Sequence, residues 1–221
     1  ALLTIENLPD LNETITVPED IFEELTAQDA SVAGFNPYEQ PTVRDLLYGV
    51  LLPSGADACE TLARAVGGSE EGFVAMMNQK AEELGLTNTH FENCTGLHND
   101  NHYSTCRDIA VLMSECLKSD TFREIVTREV YTTEATASHP EGITLYDTML
   151  HRFTSYEMST TLENGAVIEG GKTGFTDEAG QCLVSFAEYG GEEYILVTAE
   201  AMTDSGLSLI HISEPTRLGM I

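Results

Sequence analysis

Apolar residues recur at helical spacing from the start of the chain to Val126, and the period changes to strand spacing after Gly165. Residues 1–11 read as the end of a helix running into a loop. Ile15 and Val17 alternate with Thr14 and Thr16 as a short strand-like piece, and Pro18-Glu19-Asp20 opens a helical turn. Residues 26–41 carry Gly34, Pro37 and Pro41 and read as irregular. Thr42-Val43-Arg44-Asp45 then forms a capping-box-like start. It opens a helix with Leu46, Leu47, Val50 and Leu51 on one face, which Pro53-Ser54-Gly55 stops.

A helix from near Asp57 turns Ala58, Leu62, Ala63 and Val66 inward and ends at Gly67-Gly68. Ser69 caps the next, which carries Phe73, Met76, Met77 and Leu84 and stops at Gly85. The methionine pair reads as core filling. A polar loop spans residues 86–104. Thr105 caps a helix bearing Ile109, Leu112, Met113, Cys116 and Leu117, and Asp120 caps a short one with Phe122, Ile125 and Val126. Residues 130–165 are mixed, with strand-like pieces and a helical turn near Leu145–Phe153. Val167–Thr176, Gln181–Tyr189 and Glu193–Glu200 then read as strands, the last two joined by a Gly190-Gly191 hairpin. Helices first and an antiparallel meander second predict an α+β fold, with helices packed on an antiparallel sheet.

Composition narrows the function classes. A 42% hydrophobic content over 221 residues supports one packed domain. The formal net charge of −27 repels nucleic acid and anionic lipid, so neither is expected as a partner. The five cysteines form no Cys-x-x-Cys pair, which argues against a structural zinc site, and Cys106, Cys116 and Cys182 read as small core residues. His98 and His102 flank Asp100, but in a Gly- and Asn-rich loop rather than on a helix face, so no metal and no cofactor is expected. His90 and His151 read as structural, and no nucleophile elbow marks a Ser-His-Asp triad.

The chemistry-bearing stretch is Gly170-Gly171-Lys172-Thr173-Gly174-Phe175-Thr176. Lys172 is the sole Lys or Arg between Arg152 and Arg217, in a region rich in Asp and Glu. Glycines let the backbone approach another chain closely, lysine offers a compact positive charge, and threonine both donates and accepts. The combination suits a strand edge that grips a small anionic substrate. Three readings compete. A phosphate loop needs glycine where Ala166 stands, and Gly174 follows where a helix should begin. A plain hairpin turn with a solvated lysine is the default for Gly-rich stretches. The third is the Lys-Thr-Gly strand of penicillin-binding enzymes.

Several stretches favour the third. Thr42-Val43-Arg44-Asp45-Leu46-Leu47-Tyr48-Gly49-Val50-Leu51-Leu52-Pro53-Ser54-Gly55 resembles the second-motif region of serine D-alanyl-D-alanine carboxypeptidases, the low-molecular-mass penicillin-binding proteins of peptidase family S11. Asn88-Thr89-His90-Phe91 with Gly96-Leu97, and His102-Tyr103-Ser104-Thr105 with Arg107-Asp108, resemble the same family. Gly171-Lys172-Thr173-Gly174-Phe175-Thr176 is similar to its third motif. The likeness runs from about Ala1 to Met202, in the family's order. It implies a β-lactamase/transpeptidase-like fold and acyl transfer by a serine with a lysine base one helical turn on. The implied substrate is the peptidoglycan stem peptide ending in D-Ala-D-Ala, with β-lactams as inhibitors. By matching position, Ser54 relays a proton to the leaving amine. Lys172 supplies the positive field for Ser54 and the substrate carboxylate, and Thr173 hydrogen-bonds that carboxylate. Backbone groups from Lys172 through Gly174 to Thr176 pair with the substrate.

The sequence departs from the family twice. No Ser-x-x-Lys stands in the matching place; in the family it lies a few residues before the position of Ala1, so the expectation is a fragment without nucleophile and base, inactive by itself and with an open sheet edge. The usual Ser-x-Asn reads Ser54-Gly55-Ala56, so the amide donor is missing. A non-catalytic peptidoglycan-binding relative is therefore an alternative, as is a serine β-lactamase-like hydrolase, although no stretch supplies an obvious deacylating glutamate. The resemblance implies an exported, cell-envelope-associated parent, with export signal and membrane contact in parts outside this chain. The expected domain covers residues 1–206. Residues 207–221 lack period or partner and resemble a translated sequencing adapter, so they are expected to be a non-native or disordered tail.

Overall fold

The computed structural model describes residues 1–201; the stretch read as a tail lies outside them. Helices α1 (Leu2–Asn7), α2 (Ile21–Ala27), α3 (Val43–Leu51), α4 (Ala56–Gly67), α5 (Glu70–Glu83), α6 (Cys106–Cys116) and α7 (Asp120–Val126) come first. A two-stranded ribbon of β1 (Val130–Thr132) and β2 (Thr144–Tyr146) follows, then α8 (Leu150–Ser155). The meander β3 (Val167–Thr176), β4 (Gly180–Tyr189) and β5 (Glu192–Ala201) closes the described chain. The order is β3-β4-β5, all antiparallel, with Lys172 opposite Val184. Gly190 and Gly191 both adopt positive φ, 65° and 83°, which a two-residue turn between right-twisted strands favours.

The sequence pattern places most elements. The Thr42 cap is a full capping box: Thr42 Oγ1 accepts from the Asp45 amide at 3.1 Å, and the Asp45 carboxylate accepts from the Thr42 amide at 3.1 Å. Asp45 also accepts from the Tyr131 hydroxyl at 2.9 Å and the Glu134 amide at 3.1 Å, tying α3 to the strand ribbon. Ile15 and Val17 make β-type bonds to the carbonyls of Pro41 and Glu39.

Three expectations shift. Ser119, not Asp120, caps α7: its hydroxyl accepts from the Phe122 amide at 3.3 Å, and Asp120 is the first helical residue. Leu145 and Tyr146 belong to β2, and the helix begins at Leu150 because β2 pairs with β1. Cys106 opens α6 and is exposed, while Cys116 is buried as expected.

Leu46, Leu47, Tyr48 and Leu52 of the α3 region are fully buried, with Ile125 and Val126 of α7 and Phe186 of β4. Tyr48 stacks on Tyr131 with ring centroids 3.6 Å apart. Helix α6 lies against β5 and β4, and α7 against β3. Among the described residues β5 pairs only with β4, and Tyr194 and Leu196 on it are exposed.

Candidate active site

The end of α3 and the edge strand β3 meet at the two positions singled out by sequence. The Lys172 ammonium donates to the Ser54 hydroxyl, across 118 residues of chain. It also donates to the Thr173 carbonyl at 2.8 Å. Along its length β3 pairs with β4; on its other edge Thr161 bridges Val167 and the Ile168 amide donates to the Thr160 carbonyl at 2.9 Å, while among the described residues no strand pairs with the Lys172–Thr176 part of that edge. Gly171 allows the close packing behind it: a Cβ there would stand 2.5 Å from the Val184 carbonyl and 3.0 Å from the Met149 sulfur. At Gly174 a Cβ would meet nothing closer than 3.8 Å, which leaves the backbone accessible. The Thr176 hydroxyl accepts from the Ala179 amide at 3.0 Å and so shapes the β3–β4 turn.

Ser54 sits in the turn between α3 and α4 with φ of 62°, a left-handed conformation uncommon for a residue with a side chain. Asp57 holds that turn. Fully buried, its carboxylate accepts from the amides of Ala33, Gly34 and Phe35 at 2.7, 2.9 and 3.0 Å. This pins residues 33–35 against Gly55, where a Cβ would come within 2.6 Å of Ala33. The Ala56 amide donates to the Ser31 carbonyl at 2.8 Å. The Ala56 side chain is buried and has no donor to offer.

A third component carries no distinguishing mark in the sequence. The segment 147–149 wedges between the other two. Thr148 Oγ1 lies 2.6 Å from Thr173 Oγ1, and the Thr148 amide donates to the Leu52 carbonyl at 3.2 Å. Asp147, also buried, accepts from the Met149 and Leu150 amides at 2.8 and 2.6 Å and so anchors the start of α8. Asp-Thr before an apolar pair is an ordinary turn signal, and only the fold brings it to β3. Burial pushes the Asp147 carboxyl up to about 6, against the pull of those amides and of Lys172. Burial likewise lowers the pKa of Lys172, and Asp147 partly restores it. The Cys59 thiol near Lys172 is pushed up to about 11 by burial and stays protonated at neutral pH.

The arrangement is a positive charge and a set of hydroxyls at an open strand edge, suited to a carboxylate-bearing extended peptide. Its components follow one another as they do in a known family: the D-alanyl-D-alanine carboxypeptidase (peptidase S11) pattern matches residues 5–203. The chain belongs to that family. It is 36% identical over 168 residues to the D-alanyl-D-alanine carboxypeptidase DacF of Bacillus subtilis (strain 168), covering 76% of this chain and 40% of the relative. It is 35% identical over 192 residues to the D-alanyl-D-alanine carboxypeptidase of Streptomyces sp. (strain K15), covering 84% and 64%. The chain thus spans between two fifths and two thirds of the length of these curated relatives. The crystal structure of the Streptomyces K15 DD-transpeptidase superposes with a TM-score of 0.77 at 32% identity, covering 91% of this chain and 79% of that one. The family's β-lactamase/transpeptidase-like α+β fold is therefore the fold of this chain.

His98 faces Asp100 and Glu178 at 3.3 and 3.7 Å, and His102 stacks edge-on to Phe91. Elsewhere, Glu60, Glu70 and Cys94 bring their ligand-type atoms within 4.8 Å of one another. No helix among the described residues is long and apolar enough to cross a membrane.

Proposed function

We propose that this chain is the substrate-gripping part of a serine-type D-Ala-D-Ala carboxypeptidase that acts on peptidoglycan stem peptides through an acyl-enzyme and is acylated by β-lactams. The single observation carrying this is the Lys172–Ser54 hydrogen bond at the open edge of β3. A cation there stabilises the terminal carboxylate of the peptide. Its contact with Ser54 gives a path for a proton to the leaving amine: Lys172 holds the hydroxyl oriented, Ser54 donates to the departing D-Ala nitrogen, and its proton is replaced from the base. Thr173 donates to the same carboxylate, and the β3 backbone through Gly174 to Thr176 pairs with the peptide as an added strand.

The acylating serine and its lysine belong, in this reading, to a segment of the parent protein N-terminal to Ala1. Ala1 and Lys172 line one apolar cavity of about 300 Å³. The parent is read as an exported cell-envelope enzyme. A second reading, a relative that binds stem peptides without turning them over, draws on Ala56, whose methyl group replaces a side-chain donor.

Treatment of the parent protein with a fluorescent penicillin separates the two. The expected result is a covalent label on a serine upstream of Ala1, lost or slowed at least about 100-fold in Lys172→Ala. Stem-peptide binding with no label supports the non-catalytic relative. A label on Ser54 of the 221-residue chain by itself would overturn both assignments.

A further inference from the structure

We propose that Thr148 is a positioning residue that makes Thr173 a hydrogen-bond donor, and thereby sets the preference of the site for a free C-terminal carboxylate. This rests on the D-Ala-D-Ala reading above. The two hydroxyl oxygens are 2.6 Å apart, and among the described residues neither has another side-chain or backbone partner. One proton lies between them and the second hydroxyl hydrogen points away. With Thr148 as donor, the Thr173 oxygen is satisfied as an acceptor and its own hydrogen is released toward the strand edge, where an anion needs it. With the roles reversed, Thr173 would present only lone pairs to a carboxylate, which repel it.

The surroundings favour the first arrangement. Lys172 is bonded to the Thr173 carbonyl at 2.8 Å, so an arriving carboxylate brings negative charge to that end of the pair. That charge favours the arrangement in which the Thr173 hydrogen faces it. Thr148 is held in place by forces independent of the ligand. Its amide is bonded to Leu52, the Asp147 amide donates to the Glu129 carbonyl at 2.8 Å, and the Asp147 side chain anchors the next turn. The hydroxyl is therefore preorganised, and the ordering cost is met on folding rather than on binding. Ala56 cannot share this task, since its side chain has no donor.

The test uses the 221-residue chain and two probes, a diacetylated Lys-D-Ala-D-Ala tripeptide and its C-terminal amide, titrated by calorimetry or NMR. Circular dichroism controls for folding. The chain is expected to prefer the acid over the amide. Thr148→Val should cut that preference about tenfold, mainly by weakening the acid, and Thr148→Ser should restore it. Retention of the full preference in Thr148→Val, while Thr173→Val loses it, would overturn the role of Thr148 and leave the site reading intact. Tripeptide binding that is unchanged in both Thr173→Val and Lys172→Ala would overturn the site reading itself. A purely structural role for Thr148 is excluded by the expected result, because lost packing weakens acid and amide alike.

Discussion

Lys172 and Ser54 illustrate how single residues draw their chemistry from their surroundings. A lysine on a solvated turn is a point charge of little consequence; half-buried in the middle of β3 it loses hydration, feels the charge of Asp147 and finds one hydroxyl to hold. A buried carboxyl with no role in that site makes a sharper prediction. Burial, reinforced by Glu70 beside it, pushes Glu60 up to about 7 from an unfolded value of 4.5. Between those values the folded state keeps a proton that the unfolded chain has lost. Stability therefore falls as pH rises through that window. Glu60→Gln removes the effect. Thermal melts should show the variant more stable than the parent chain at pH 8, with the advantage gone at pH 4. An equal difference at both pH values would contradict the assignment. At this scale the candidate site was half legible. The types and neighbours of Ser54, Lys172 and Thr173 stand in the sequence. Thr148 and Asp147 do not, because nothing local distinguishes their turn from any other.

Among the elements, α3 shows how one cap does two jobs. The Thr42 side chain serves the helix alone, whereas that of Asp45 serves the helix and also receives Tyr131 of the ribbon and Glu134 just beyond it. Thr42→Ala should cost about 1 kcal/mol in urea denaturation. Asp45→Ala should cost about 3 kcal/mol or more, because a buried hydroxyl and a buried amide lose their acceptor as well. Equal losses would show that the ribbon contacts contribute nothing. The cap itself is readable from Thr-Val-Arg-Asp, since it closes within four residues. The bonds to Tyr131 and Glu134 span 86 and 89 residues and could not be read. The same limit explains the region before α8: Leu145 and Tyr146 fit a helical turn locally, and the pairing with β1 overrides that.

At the scale of the whole molecule, 37 acidic residues face 10 basic ones, and self-repulsion opposes the compact state. Raising sodium chloride from about 0.05 to 0.5 M shortens the screening length from roughly 14 to 4 Å, so the melting temperature should rise by several degrees. A fall would mean that the surface ion pairs, such as Arg44–Glu124 and Arg123–Glu193, outweigh the repulsion. The sequence by itself determined the succession of helices followed by a meander, the α+β class, the caps of α3, α5 and α6, the hairpin at Gly190-Gly191 and the two motifs. Each of these is written in spacings of a few residues or in glycines with special backbone freedom. Only the tertiary structure decided that Lys172 reaches Ser54, that Asp57 clamps the turn behind it and that Thr148 meets Thr173. Those contacts join segments from distant parts of the chain: α3 packs in the main core, α8 and Ile168 of β3 share a second cluster with Leu183, and the meeting of the two sets their distances.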